Sequence, residues 1–189
     1  MAQRYRDFFH QSAASLADIC VSGSLRRGHH NYRLAVVAAS KTEMAENLDA
    51  FLAGESRLGI SFGRAQPREF KLVFVFSGMG QQWWAMGREL FHEEPVFREV
   101  IEQCDELLQP YTGWSLKEEL LADQARSRIT ETHIAQPALF SLQVALAVLW
   151  RSWGIEPDAI VGHSVGEVAA AHVAGVLSLE DAIQVRNEN

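Results

Sequence analysis

The sequence predicts an α/β fold: a small αβ unit followed by a larger unit with a parallel sheet and helices on both faces. Three observations carry this prediction. Residues 72–76 (LVFVF) form a continuous apolar run, the pattern of a strand covered on both sides. Residues 158–161 (DAIV) form a second short run that leads directly into Gly162-His163-Ser164-Val165-Gly166 and an alanine-rich helix. Helix-length amphipathic stretches lie between the two runs, and strand, helices, strand, helix is the order that yields parallel pairing.

Taken in order, Ser15 with Asp18 predicts a capped helix from Leu16 to about Leu25. Residues 32–39 (YRLAVVAA) are apolar and partly β-branched, a buried-strand pattern. Ser40 followed by Glu43 is a capping-box signature, in which hydroxyl and carboxylate each satisfy an orphan backbone N–H. The helix it opens places Met44, Leu48, Phe51 and Leu52 on one face and ends at Gly54. Residues 54–69 contain Gly54, Gly59, Gly63 and Pro67, which sets a boundary there and divides the chain into residues 1–70 and 71–189. After the run at 72–76 comes the glycine-rich turn Ser77-Gly78-Met79-Gly80-Gln81-Gln82. Pro95 suits the first turn of a helix with Val96, Phe97, Val100, Ile101, Cys104, Leu107 and Leu108 on one stripe. A further helix starts near Ala135, with Pro137 in its first turn, and ends at Gly154. Its apolar stretch is interrupted by Gln136, Ser141 and Gln143, so it reads as a buried helix and not as a membrane span. The last predicted helix runs from Val165 to Ala174.

Composition narrows the function classes. Hydrophobic residues make up 48% of the 189, which calls for a packed core. Net charge is −7 with the charges interspersed, and the only basic cluster, Arg26, Arg27, His29 and His30, reads as a turn, so nothing points to nucleic acid. Cys20 and Cys104 sit in helical apolar patterns and are expected as buried thiols, not a disulfide. No Cys/His spacing suits zinc, and no metal is expected. The N-terminal MAQRYRDFFHQ lacks the apolar core of a signal peptide, so a cytoplasmic location is expected, with no membrane partner.

Gly162 to Gly166 fits G-x-S-x-G between a strand and a helix. The serine of such a turn is exposed, and flanking glycines remove Cβ atoms that would clash. The helix that follows aims unpaired N–H groups at charge developing near Ser164. The alternative is a glycine-flanked turn whose serine only caps the helix. His163 is expected to line the pocket and not to take the Ser164 proton, because neighbours on such a turn diverge. His172 lies about 12 Å further along the helix. His92 and His133 fall in polar contexts at helix edges.

These residues carry a resemblance. Residues 162–168 (GHSVGEV), the strand before them and the downstream AAAHVAGVLSLEDA resemble the malonyl/acyl-CoA:acyl-carrier-protein acyltransferase domains of modular polyketide synthases and animal-type fatty acid synthases. Residues 74–87 (FVFSGMGQQWWAMG) resemble the first strand and oxyanion loop of those domains, and residues 132–139 (THIAQPAL) another family segment. Residues 5–70 are similar to the linker between ketosynthase and acyltransferase. The resemblance implies an α/β-hydrolase-like large subdomain, incomplete here, and a ping-pong transfer through an acyl-serine on Ser164. It implies an acyl-CoA donor, a carrier-protein phosphopantetheine thiol as acceptor, a neighbouring ketosynthase, and no bound cofactor. It maps the oxyanion N–H groups onto Met79 and Val165; many relatives have Gln where this chain has Met79, a change that leaves a backbone donor intact. It maps pocket-lining roles onto Gln136 and His163, and close backbone approach to the substrate onto Gly78 and Gly80.

The resemblance also implies a catalytic histidine and a carboxylate-binding arginine. Only 25 residues follow Ser164, the histidine is expected well beyond them, and the arginine is expected near Asn189, with Arg186 out of register. The chain by itself is therefore expected to be inactive. A non-catalytic docking piece of a megasynthase is one alternative. A serine esterase is another, but it would need an acid and a histidine after the serine, and no histidine follows His172.

Overall fold

The computed structural model describes residues 1–65, 70–80 and 82–187, apart from the side chains of Arg186 and Asn187. Pro67 and Glu69 of the expected boundary, Gln81 of the glycine-rich turn, and the Arg186 side chain lie outside the described residues. The chain divides into two compact units, Met1–Glu69 and Phe70–Asn189.

The first unit contains α1 (Ala2–Gln11), α2 (Leu16–Leu25), β1 (Tyr32–Val36), α3 (Lys41–Leu52) and β2 (Ile60–Arg64). Its two strands pair antiparallel, with Leu34 opposite Phe62. Both predicted caps form: Ser15 Oγ accepts from Asp18 N–H and Ser40 Oγ from Glu43 N–H, each at 3.1 Å. Glu43 completes the box one residue early, accepting from Ala39 N–H at 2.8 Å. Phe9, Ile19, Met44, Ala45 and Leu48 form a small core, against which Leu34 and Val36 pack. Arg6 of α1 reaches Asp49 of α3 at 2.8 Å.

Three expectations for this unit need correction. The strand expected over residues 32–39 stops at Val36, and Tyr32 and Val37 are exposed, because one partner strand and one covered face do not bury it. The helix α1 and the strand β2 were not anticipated; the first is short and charged, the second carries a glycine. Cys20 is exposed on α2, while Cys104 is buried, and both are free.

The second unit contains β3 (Val73–Phe76), α4 (Arg88–Glu93), α5 (Pro95–Thr112), α6 (Leu116–Leu121), α7 (Thr132–Ser152), β4 (Ala159–Gly162), α8 (Val165–Val173) and α9 (Leu179–Asn187). The strands β3 and β4 pair in parallel, Val73 opposite Ala159 and Phe76 opposite Gly162. Pro95 opens α5, and Phe97, Ile101, Cys104 and Leu108 on its stripe are fully buried. They pack with Ile134, Ala138, Phe140 and Val144 of α7 in one core. By length and composition α7 could cross a membrane, but most of it is buried inside this core. It begins at Thr132, earlier than expected, so Pro137 falls in its second turn. Ser141 Oγ donates to the Pro137 carbonyl at 2.9 Å, which satisfies that buried hydroxyl.

The sheet is covered on one face by the described residues. Phe74 and Phe76 pack into the core, whereas Val75 is 72% and Val161 53% exposed. The continuous apolar run predicts cover on both faces, and the described residues supply it on one. At the base of the sheet, Asp158 accepts from Lys71 Nζ and from Leu72 N–H, both at 2.8 Å. The Lys71 bond first, and the Leu72 N–H second, hold the Asp158 carboxyl below the usual carboxylate range. A group titrating lower when folded stabilises the fold above its unfolded pKa, and that contribution is lost as pH falls through the folded value. Asp158→Asn is therefore expected to lower Tm at neutral pH, and the gap from the parent is expected to close in acid. Melting curves recorded across the acidic range check this.

Candidate active site

The turn between β4 and α8 is built on close backbone contact. A Cβ added at Gly162 would lie 2.6 Å from Glu167 Cα and 2.9 Å from Ala170 Cβ. One added at Gly166 would lie 2.2 Å from Phe76 O and 2.8 Å from Ser77 O. Real Cβ atoms do not approach so closely, so these glycines let α8 lie against the ends of both strands. Ser164 occupies the apex at φ 56°, a region that non-glycine residues seldom adopt, and its side chain is exposed. His163 N–H donates to Phe76 O at 3.0 Å, extending the β3–β4 ladder to the residue before the serine. Gly166 N–H then returns to His163 O at 3.0 Å.

The glycine-rich turn comes up beside this apex. A Cβ on Gly78 would lie 3.1 Å from His163 Nδ1 and 3.3 Å from Ser164 Cβ, so Gly78 is pressed against the elbow itself. Gly80 has open space around it but sits at φ 123°, and its N–H donates to Gln82 Oε1 at 2.9 Å. Backbone conformation, not room, is what requires glycine there. Met79, between the two, is half-exposed. Further along, Trp84 Nε1 and Arg88 Nη2 both donate to Ala122 O, at 2.9 and 2.6 Å, and the Arg88 guanidinium stacks 4.8 Å from the Trp84 ring. The loop is thus fixed at its far end as well.

Val165 is the first residue of α8, and a helix has no internal acceptor for the N–H at that position. It adjoins Ser164. Glu167 Oε1 accepts from Ser164 N–H at 3.3 Å and ties the apex to its own helix. That residue was not singled out from the sequence, although Ser164 and Glu167 have capping-box spacing. Gln136 is half-buried on the second turn of α7. It precedes Gln143 by two helical turns on the same face, about 10 Å along the axis, and Gln143 touches Ser77. The structure therefore groups Gly78, His163, Ser164, Val165 and Gly166 tightly, and places Gln136 on the helix that backs them.

The other reactive groups stand apart. His172 makes a 3.0 Å bond between Nδ1 and Leu177 O. His92 and His133 are exposed, the latter 3.5 Å from Glu131. Burial pushes the Cys104 thiol up to about 11, only partly offset by its bond with Ser141, so it stays protonated and unreactive. Among the described residues no group of three or more His, Cys, Asp or Glu could hold a metal ion.

Comparisons with known proteins agree on one family. The model of the acyl transferase domain matches residues 73–186, and that of the CurL-like C-terminal region of polyketide synthases matches residues 1–48. The chain is 44% identical over 185 residues to the spectinabilin polyketide synthase system protein NorA of Streptomyces orinoci, covering 97% of this chain and 10% of that protein. It is 38% identical over 185 residues to the erythronolide synthase EryA2 of Saccharopolyspora erythraea, covering 97% of this chain and 5% of that protein. Among solved structures, the acyltransferase domain from module 8 of the salinomycin polyketide synthase superposes with a TM-score of 0.82 at 34% identity, covering 98% of this chain and 44% of that one. This chain thus spans a tenth or less of these synthases and under half of that solved domain. A strained serine on a strand–turn–helix elbow, a glycine loop pressed against it and these matches together place the chain in the acyl transferase domain family of polyketide synthases.

Proposed function

We propose that this chain carries the nucleophile and oxyanion elements of a ping-pong acyl transfer in polyketide synthesis. Ser164 Oγ attacks the thioester carbonyl of a malonyl-type acyl-CoA, its proton leaves with the CoA thiol, and an acyl-serine remains. The phosphopantetheine thiol of a carrier protein then takes the acyl group and returns the proton to Ser164. The N–H groups of Met79 and Val165 stabilise the oxyanion in both steps. His163 and Gln136 line the pocket, and no bound cofactor takes part. Residues 1–70 act as the linker that faces a neighbouring ketosynthase, and residues 71–189 belong to the acyltransferase. The setting is the cytoplasm. The observation that carries this reading is the apposition of Gly78 and Ser164 at the end of a parallel strand pair.

No described histidine is set to act as base, since His172 is engaged with Leu177 and His163 lies against the loop. General-base assistance contributes roughly a hundred- to ten-thousand-fold. The 189-residue polypeptide alone is therefore expected to transfer malonyl groups to a carrier protein slower than a full-length domain by about that factor. A radiolabelled malonyl-CoA assay, with peptide mapping of the adduct, tests both points. Turnover like that of a full-length domain would overturn the first, and an adduct away from Ser164 the second.

A further inference from the structure

Ser77, the residue that joins β3 to the glycine loop, is held from two sides. Its carbonyl lies where a Cβ on Gly166 would come within 2.8 Å, so it rests against the bare Cα of the elbow helix. From the other side Gln143 Nε2 of α7 donates to it at 2.7 Å, a bond that spans 66 residues of sequence. The amide orientation follows from chemistry: a carbonyl only accepts, so the group facing it is the NH2. The other end, Oε1, is buried and accepts no hydrogen bond among the described residues. The donor end therefore accounts for what this polar side chain does in an otherwise apolar helix.

We infer that Gln143 is a positioning residue for the oxyanion loop: its bond to the Ser77 carbonyl fixes the peptide plane from which Gly78 and Met79 are presented to Ser164. Peptide planarity makes this geometric. Holding the Ser77 carbonyl holds the Gly78 N–H on the opposite side of the same rigid unit, and with it the path of the chain to Met79. A loop pinned only by Gly166 could rotate about that contact; the bond from α7 removes the rotation. Misplacement of an oxyanion donor lowers the rate of attack at Ser164 without touching the nucleophile. The inference rests on the reading of Ser164 as nucleophile.

The test uses a polypeptide that carries this chain within a full-length acyltransferase domain, and an alkyl fluorophosphonate. Ser164 Oγ bonds to phosphorus, the P–F bond breaks, fluoride leaves, and the serine proton passes to water. Gln143→Met keeps the length of the side chain and removes the donor. It is expected to label at Ser164 about 10- to 100-fold more slowly, short of the roughly 100- to 1000-fold loss when an oxyanion donor is removed outright, with little change in Tm. Gln143→Glu is expected to be slow at neutral pH, where a carboxylate faces the Ser77 carbonyl. It is expected to recover as pH falls and the protonated acid donates again. Each rate is divided by that of the parent at the same pH, because His163 and Glu167 flank the same turn. Parental labelling rates in Gln143→Met, or a ratio for Gln143→Glu that does not change with pH, would overturn the inference alone. A parent that does not label at Ser164 would overturn the proposed nucleophile, and the inference with it.

Discussion

Ser164→Ala is expected to abolish covalent acyl loading in a polypeptide that carries this chain within a full-length acyltransferase domain. Removing the nucleophile of a covalent mechanism leaves only what positioning and oxyanion donors supply, and comparable losses are on the order of a millionfold. Among the described residues no other side chain combines a strand-end position, a helix N-terminus and exposure; Cys104 is buried with its thiol protonated. Intact-protein mass spectrometry after incubation with malonyl-CoA is the measurement, and a stable malonyl adduct on the Ala variant would identify the wrong nucleophile. The backbone adds a second, opposite signature. Ser164 sits at φ 56°, a strain that costs on the order of 1 kcal/mol and that alanine retains. Ser164→Gly relieves it, so that variant is expected to be equally inactive yet to melt higher than the parent. Function and stability are then separated at one position, as expected where a strained residue is kept for its chemistry.

Gly166→Ala is expected to be the most destabilising single methyl group that can be added to the second unit. The new Cβ would meet Phe76 O at 2.2 Å and Phe76 C at 2.5 Å. Both are backbone atoms of a paired strand, so neither can rotate away. The helix must lift off β3 or β3 must leave β4, and overpacking of this kind costs about 3 kcal/mol or more. That corresponds to a fall in Tm of roughly 10 °C for a unit of this size. Gly28, with nothing within 4 Å, is the control, and Gly28→Ala is expected to leave Tm within a degree or two. Equal melting of the two variants would mean that the elbow is not packed as described. Because Gly166 also fixes Ser77, its alanine variant is expected to lose Ser164 labelling even below its melting temperature.

The elbow was legible in the sequence because its requirements are local. Strand, glycine, serine, glycine and small-residue helix are adjacent, and each glycine answers to a backbone contact a few residues away or one strand across. The stripe of α5 and the caps at Ser15 and Ser40 were legible for the same reason. What was not legible depends on distant partners. The apolar runs at β1 and β3 showed strand character but not which faces are covered, so Tyr32, Val37 and Val75 came out exposed. Cys20 has a helical apolar neighbourhood in sequence and faces away from the core in space. In the sequence Gln143 interrupts an apolar stretch. In a buried helix each polar residue needs a partner, and Ser141 finds one in Pro137 and Gln143 one in Ser77. That need was the available signal, but the partner's identity required the fold. Glu167 was available from its spacing to Ser164 alone.

The pairing of β3 with β4 brings together residues such as Leu72 and Asp158 that are 86 positions apart. At ribosomal speeds of about 5–20 residues per second, the first strand waits roughly 4 to 17 seconds for its neighbour to be made. In that interval α5 and the first part of α7 have emerged, and their contacts close shorter loops than the strand pair does. The helical layer is thus available before the sheet, and the serine turn follows directly behind β4. Gln143 emerges before Ser164 as well, so the anchor of the glycine loop exists before the residue that the loop serves. A ribosome pausing anywhere between Ser77 and Ala159 would hold β3 without its β4 partner, its backbone N–H and C=O groups open to pairing with other nascent chains.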